Sequence, residues 1–217
     1  MIIMGIDPGL AHTGWGVVET RGAQCRARAY GCVTTSSRDP MVQRLNAIFQ
    51  EVSAAIERYG PTQLAIERIF FGENSRSAIA TAQARGAALV ACGQAGIEVG
   101  EYTPMQIKQA IVGTGSADKR QVIYMVRNVL ALDHDPRPDH CADALAAAIC
   151  HANLIRTQAI ARDHAAAQML ELERVQKRAA RDAAREVTAA ATAARLSHGE
   201  HSRSAVGRTR QSRRSTA

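Results

Sequence analysis

The feature that most constrains the fold is a charged residue at the end of an apolar strand. The chain begins MIIMGIDPGLAHTGWGVVE, so a run typical of a buried strand leads into Asp7 and is followed at once by Pro-Gly. A buried carboxylate is costly unless it is paired, hydrogen-bonded or bound to a metal. Asp7 therefore either starts a turn or lies at a sheet edge where its charge serves a chemical purpose.

The order of the predicted elements indicates an α/β fold. MIIMGI, GWGVVE and RARAYGCVTT are joined by short connections and predict an antiparallel meander. TQLAIERIF and IEVGEYTP add a fourth and a fifth strand, and helical patterns precede, separate and follow them. Ser116 is the predicted start of one helix, and Asp139 after Pro138 is the predicted N-cap of another. We expect a mixed five-stranded sheet flanked by helices.

Charge is distributed unevenly and divides the chain. The formal net charge is +7, yet residues 1–157 carry 15 Lys and Arg against 14 Asp and Glu, whereas residues 158–217 carry 12 against 6. We predict a globular domain at 1–157, an Ala- and Arg-rich helical extension at 158–196, and a disordered basic tail at 197–217. Any anion-binding surface on the globular domain must then come from local clustering of charge.

The cysteines and the N-terminus predict a cytoplasmic protein that does not enter a membrane. The five cysteines show neither a C-x-x-C pair nor zinc-ligand spacing, and an odd number without a secretory signal fits reduced thiols. The N-terminal apolar run lacks a basic flank and is broken by Asp7, so it does not predict a signal peptide. No stretch approaches the ~20 apolar residues of a membrane span.

Asp7 is one of several acidic residues that could meet at one point. Glu67 lies among apolar residues of the fourth strand, and PDHCADAL offers Asp139, His140 and Asp143. Residues three or four apart share a helix face, so either Asp139 or His140 can lie beside Asp143. Converging carboxylates repel unless cations neutralise them, and hard oxygen ligands suit Mg²⁺ or Mn²⁺. Two such ions ~4 Å apart are a known device for phosphodiester cleavage.

Each of these residues also has an ordinary structural interpretation. Asp7 before Pro-Gly is a good turn residue. Glu67 fits an exposed position on an edge strand, and His140 alone is typical of a structural histidine. Asp143 in the first turn of a helix would favour the helix dipole. The residues alone leave these alternatives open.

Five segments, in order over about residues 1–155, together resemble a known family: GIDPGLAHTGWGVV, AIER followed by FF, QARGAAL, QIKQAIVGTGSADKRQV and HCADALAAAI. They are similar to the RuvC crossover-junction endodeoxyribonucleases. The resemblance implies an RNase H-like fold and paired, symmetric nicking of four-way (Holliday) DNA junctions by a homodimer, in recombination and repair. It also implies RuvA and RuvB, the branch-migration proteins, as partners.

The resemblance assigns a metal site residue by residue. Asp7, Glu67 and Asp143 match acidic positions of the family's site, and His140, three residues before Asp143, stands where many relatives have Asp and others His. The same spacing rejects Asp139. We expect these four residues to be catalytic and to bind two Mg²⁺ ions, with Mn²⁺ able to substitute. His140 either ligates a metal or orients a water.

DNA contacts are predicted from the same segments. Lys108, Lys119 and Arg120 match positions implicated in phosphate contact or catalysis, although solvated helix faces would explain them equally well. Phe70 is expected to stack on an unpaired base at an opened junction centre, with a core Phe beside an exposed one as the alternative. Arg76 is a further candidate for a backbone contact.

Three other functions fit parts of the pattern. DPGLAHTG resembles the phosphate-binding hairpin of actin-like phosphotransferases and ATPases, but those proteins need two such lobes and this chain holds one. A junction-binding protein that does not cut would not need the acidic residues. Related nucleases that process ribosomal RNA precursors share the fold, but are not expected to combine the GTGSADK and QARG segments.

Overall fold

A computed structural model of the chain describes residues 1–69 and 75–211, and within them five strands form one sheet. The strands are β1 Ile2–Asp7, β2 His12–Arg21, β3 Gln24–Thr34, β4 Gln63–Glu67 and β5 Glu98–Tyr102. They lie in the order β3-β2-β1-β4-β5. The pairs β1–β2 and β2–β3 are antiparallel, and β1–β4 and β4–β5 are parallel. The predicted mixed five-stranded sheet and its initial meander are confirmed.

Helices cover both faces of this sheet. They are α1 Met41–Tyr59, α2 Ser75–Gln94, α3 Pro104–Val112, α4 Lys119–Val129 and α5 Asp139–Gln211. Successive strand side chains point to opposite faces, so Met4 and Ile6 pack with α1 and α2, whereas Ile3 packs with α3, α4 and α5. All three side chains are fully buried. The apolar run at the N-terminus is therefore the central strand, buried on both faces.

The first turns of α5 lie unusually close to the sheet because β1 and β2 present glycines to them. A Cβ on Gly5 would lie 1.8 Å from the carbonyl oxygen of Ala144, and one on Gly14 would lie 2.0 Å from that of His140. Real atoms do not approach this closely, so larger side chains at these positions would push the helix away. The glycines of β1 and β2 therefore set the distance between the sheet edge and the side chains of α5.

The structure excludes the edge-strand alternative for Glu67 and the predicted helix start at Ser116. β4 lies between β1 and β5, so Glu67 is not on an edge strand. Helix α4 does not start at Ser116: its N-cap is Asp118, whose side chain accepts from the Gln121 backbone while the Gln121 side chain accepts from the Asp118 backbone. This reciprocal capping box satisfies two backbone N–H groups, which favours Asp118 over Ser116 as the start of the helix.

The chain forms two compact units, Met1–Ala159 and Ile160–Ala217. The backbone of α5 is described as a helix as far as Gln211. The predicted division of the extension from a basic tail at residue 197 stays a prediction. None of the helices in the described part of the chain combines the length and the apolar character that a membrane span requires.

Candidate metal centre at the sheet edge

Two neighbouring strands end at Asp7 and Glu67. β1 and β4 run parallel with Ile6 opposite Ile66, so the next residue of each strand brings a carboxyl group to the same edge. Side-chain alternation places Asp7 on the same face as Gly5, over which α5 packs. Both carboxyl groups are half-buried between sheet and helix.

The turn after Asp7 is fixed by its own hydrogen bonds. The Thr13 hydroxyl, fully buried, donates to the Gly9 carbonyl at 2.7 Å. The Thr35 hydroxyl donates to the Leu10 carbonyl at 2.5 Å. A Cβ on Gly9 would lie 2.5 Å from the His12 carbonyl oxygen, so the tight turn requires glycine there. The Asp-Pro-Gly sequence therefore ends the strand and holds Asp7 in one place.

Helix α5 brings the other two residues of the site. His140 and Asp143 lie one turn apart in its first two turns, on the face that packs against β1 and β2. His140 Nδ1 lies 2.7 Å from Asp7 Oδ2, and because an ionised carboxylate only accepts, Nδ1 is the donor. The potential ligand atoms of Asp7, His140 and Asp143 all lie within 4.8 Å of one another.

Glu67 lies outside this group of three but is electrically coupled to it. Burial, followed by the negative charges of Asp7 and Asp143, raises the pKa of Glu67 from 4.5 to about 7. Lys108 and Lys119 act in the opposite direction. A nearby cation would stabilise the ionised form of such a carboxyl group.

The same crowding affects Asp143 and His140. Burial is the main cause that raises the pKa of Asp143, partly offset by its hydrogen bond with Lys119. The hydrogen bond to Asp7 raises the pKa of His140, against the opposing effect of its partial burial. Positive charge is therefore favoured at this edge of the sheet.

Lys119 supplies positive charge from the start of α4. Its Nζ donates to Asp143 Oδ2 at 3.0 Å and lies 3.6 Å from Asp139 Oδ2. Partial burial lowers the pKa of Lys119, but the hydrogen bond to Asp143 and the carboxylates around it raise it more. A residue predicted from sequence as a DNA contact thus lies inside the cluster of acidic residues.

The other predicted residues are placed less centrally or not at all. Lys108 on α3 is half-buried and near enough to lower the pKa of Glu67, whereas Arg120 is exposed beside Lys119. Phe70 and the side chain of Arg76 lie outside the described residues. Their predicted roles stay predictions.

Asp139 is not the N-cap that the sequence predicts, because α5 begins with it. Its carboxylate accepts from Arg137 Nη1 at 2.7 Å. The Cys141 backbone N–H donates to the Pro138 carbonyl, which makes Pro138 the residue before the first turn. Asp139 lies outside the group of potential metal ligands in the described part of the chain.

Sequence reasoning missed His12, the first residue of β2. Its ring stacks on that of His140, with 5.4 Å between ring centroids and 20° between ring planes. No local pattern distinguishes this histidine from an ordinary exposed residue, because the contact joins β2 to the start of α5. The one sequence signal for this contact is the G-x-G spacing of Gly14 and Gly16, which allows α5 to pack closely on β2.

The donor set suits a hard divalent cation. Carboxylate oxygens are the preferred ligands of Mg²⁺ and Mn²⁺, and an imidazole nitrogen is compatible with them. Histidine that donates one ring N–H to a carboxylate has its tautomer fixed, which leaves its other nitrogen available as a ligand. The fold and the site together define an RNase H-like domain with the donor set of a metal-dependent phosphodiester hydrolase.

Comparisons with known proteins identify the family. The family model for the crossover junction endodeoxyribonuclease RuvC matches residues 3–151. The chain therefore belongs to the RuvC family.

Individual relatives agree over the same part of the chain. RuvC of Pelotomaculum thermopropionicum is 48% identical over 153 residues, covering 70% of this chain and 93% of the relative. RuvC of Rubrobacter xylanophilus is 52% identical over 151 residues, covering 70% and 84%. The structure of Thermus thermophilus RuvC in complex with Holliday junction substrate matches with a TM-score of 0.70 at 42% identity, covering 73% of this chain and 96% of that one.

The raised pKa of Glu67 predicts a pH-dependent effect of Glu67→Gln on metal-free protein. An acid whose folded pKa is raised from 4.5 to about 7 destabilises the fold as pH rises through that window. In EDTA at pH 8 the variant should exceed wild type in free energy of unfolding by about 1–2 kcal/mol, after discounting for solvent screening. Urea unfolding at pH 5 and pH 8 measures it.

At pH 5 the difference should be much smaller, because Glu67 is then protonated in the folded protein and carries no charge for its neighbours to repel. An equal difference at both pH values, or a less stable variant at pH 8, would show that the fold does not oppose the ionisation of Glu67.

Proposed function

We infer that the chain is a structure-selective endonuclease that resolves four-way DNA junctions by paired, symmetric nicks, in recombination and repair. One observation carries this function: Asp7, His140 and Asp143 meet at the sheet edge within the residues that match the RuvC family. The same observation disfavours a junction-binding protein that does not cut, because such a protein has no use for a strained group of carboxylates.

Within this function we assign Asp7, Glu67, His140 and Asp143 to hold two Mg²⁺ ions, with Mn²⁺ as a substitute. The ions, when bound, supply a nucleophilic water and stabilise the leaving oxygen of the phosphodiester. Asp7 orients His140 through the 2.7 Å hydrogen bond, which leaves the second ring nitrogen for a metal or a water. We assign Lys119 to contact the scissile phosphate, and its hydrogen bond of 3.0 Å to Asp143 supports this role.

DNA is held, in this proposal, by local positive charge and one aromatic residue. Lys108, Lys119 and Arg120 lie on α3 and α4, the helices packed on the α5 face of the sheet. Neutralising phosphates with these side chains would make binding depend steeply on salt. Phe70 is proposed to stack on an unpaired base and Arg76 to contact the backbone. Phe70→Ala should then slow nicking more than it weakens junction binding.

Symmetric cutting requires two active sites on one junction, so we propose a homodimer. Helix α2 presents an apolar face suited to a second copy: Ile79 and Val90 are 55% and 56% exposed. Gly86 lies between them on the same side of the helix, and a Cβ there would meet nothing within 4 Å. Small and apolar residues in this pattern allow two helices to approach closely.

The remaining partners and the location rest on family membership alone. We propose RuvA and RuvB as partners and the cytoplasm as the location; pull-down from cell extract and fractionation would test both. One side of the extension carries five basic residues and one acidic residue, namely Arg174, Lys177, Arg178, Arg181, Arg185 and Asp182. We propose that the basic tail adds non-specific DNA affinity, which deletion from residue 197 should reduce together with the salt dependence of binding. If the extension contributes as well, deletion from residue 158 should reduce both further.

The proposed function predicts that Asp7→Asn separates binding from cutting. The variant should bind a labelled four-way junction in EDTA as wild type does, because Asp7 faces the site rather than the solvent. Its nicking rate with Mg²⁺ should fall about 100-fold or more, as for loss of one preorganised charged group. Binding is measured by gel shift, and nicking on the same junction by denaturing gel.

Asp139→Asn is the matched control, since this acid lies close by on α5 but outside the ligand group. It should keep nearly the full nicking rate. Equal activity of Asp7→Asn and wild type would overturn the site assignment, and wild-type binding without nicking would favour the non-cutting alternative.

The dimer proposal predicts that Val90→Glu yields a monomer. A charge within a packed apolar face costs several kcal/mol when unpaired, so sedimentation should show half the wild-type mass. Paired nicks within one junction should give way to single, uncoupled nicks.

Glu57→Gln, an exposed change on α1, serves as the control and should leave the mass unchanged. A Val90→Glu protein that remains dimeric would place the dimer interface elsewhere.

A further inference from the structure

His12 lies at the rim of the site without an assigned role. It is the first residue of β2 and its side chain is exposed. The ring stacks on His140 with 5.4 Å between centroids and 20° between planes, within the range of offset aromatic pairs. His12 Nδ1 also lies within hydrogen-bond distance of the Thr34 hydroxyl, 3.3 Å away.

The backbone beneath His12 is well anchored. His12 is paired with Thr34 in the β2–β3 ladder, so the ring is tethered both through its backbone and through Nδ1. The next residue, Thr13, is fully buried and hydrogen-bonded to the turn after Asp7. The stacked ring therefore belongs to a rigid part of the sheet.

His140 needs such a support. Its hydrogen bond to Asp7 fixes one ring atom, but a single bond leaves the ring free to rock about that point. A flat partner on one face restricts this movement and so fixes the direction of the second ring nitrogen. Gly14 holds the backbone of His140 at close range, which sets the distance over which the two rings meet.

We propose that His12 is a positioning residue, which holds the plane of the His140 ring by stacking and so keeps the imidazole in place beside Asp7 and Asp143. The inference rests on the proposed function, because it assigns His140 to the metal site. The role is geometric and does not require His12 to carry or move a proton. An aromatic ring without nitrogen should therefore replace it.

The test compares His12→Ala with His12→Phe by three measurements. These are Mn²⁺ affinity of the protein without DNA by electron paramagnetic resonance, junction affinity in EDTA, and the nicking rate at saturating junction. His12→Ala should weaken Mn²⁺ binding and slow nicking about tenfold, the size expected for residues that support a metal ligand. Its junction affinity should be unchanged, and His12→Phe should recover most of both losses.

Three outcomes would overturn the proposal. If His12→Phe is as defective as His12→Ala, the imidazole itself is needed. If both behave as wild type, stacking has no effect on the site. If junction affinity in EDTA falls tenfold while Mn²⁺ affinity does not, His12 contacts DNA directly.

Thermal unfolding of each variant separates these outcomes from loss of fold. Thr34→Val should lower Mn²⁺ affinity and the nicking rate in the same way as His12→Ala, but by less. Failure of wild type to nick junctions would refute the proposed function. The Mn²⁺ measurement would still decide the role of His12, because it uses neither DNA nor turnover.

Discussion

Repulsion among three carboxyl groups is the constraint on which this structure depends. Asp7, Glu67 and Asp143 are brought together between a sheet and a helix, where burial opposes the ionisation of Glu67 and Asp143. Lys119 and His140 compensate part of this charge. Burial and the charges of Asp7 and Asp143 still raise the pKa of Glu67, so a divalent cation at this edge would stabilise its ionised form.

The strands, the turn after Asp7 and two glycines bring these residues together. A parallel pair of strands brings Asp7 and Glu67 to the same edge, and a hydrogen-bonded turn stops β1 at that point. Glycines at 5 and 14 let α5 approach the sheet until His140 reaches Asp7. A bulkier residue on either strand would separate the strand residues of the candidate site from those of α5 without changing any of them. Backbone packing therefore determines the geometry of the candidate metal centre as much as the acidic residues do.

Much of this architecture could be predicted from sequence, since it follows from local patterns. Apolar runs and short turns predicted the strands and the meander, and a carboxylate after a buried strand pointed to the site. Contacts between distant elements could not be predicted in this way. The stacking of His12 on His140, the bond from Lys119 to Asp143 and the internal position of β4 all depend on how elements pack. Family resemblance supplied His140, whose own sequence context suggests only a structural role.

Locating the ions tests the central claim most directly. Crystals of the chain with a four-way junction and Mn²⁺ can be measured for anomalous scattering, which marks the metal positions. The account predicts Mn²⁺ about 2.0–2.5 Å from carboxylate oxygens of Asp7 and Asp143, the range for hard cations on oxygen. Ordered Mn²⁺ bound elsewhere on the protein, with none at these two carboxylates, would contradict it.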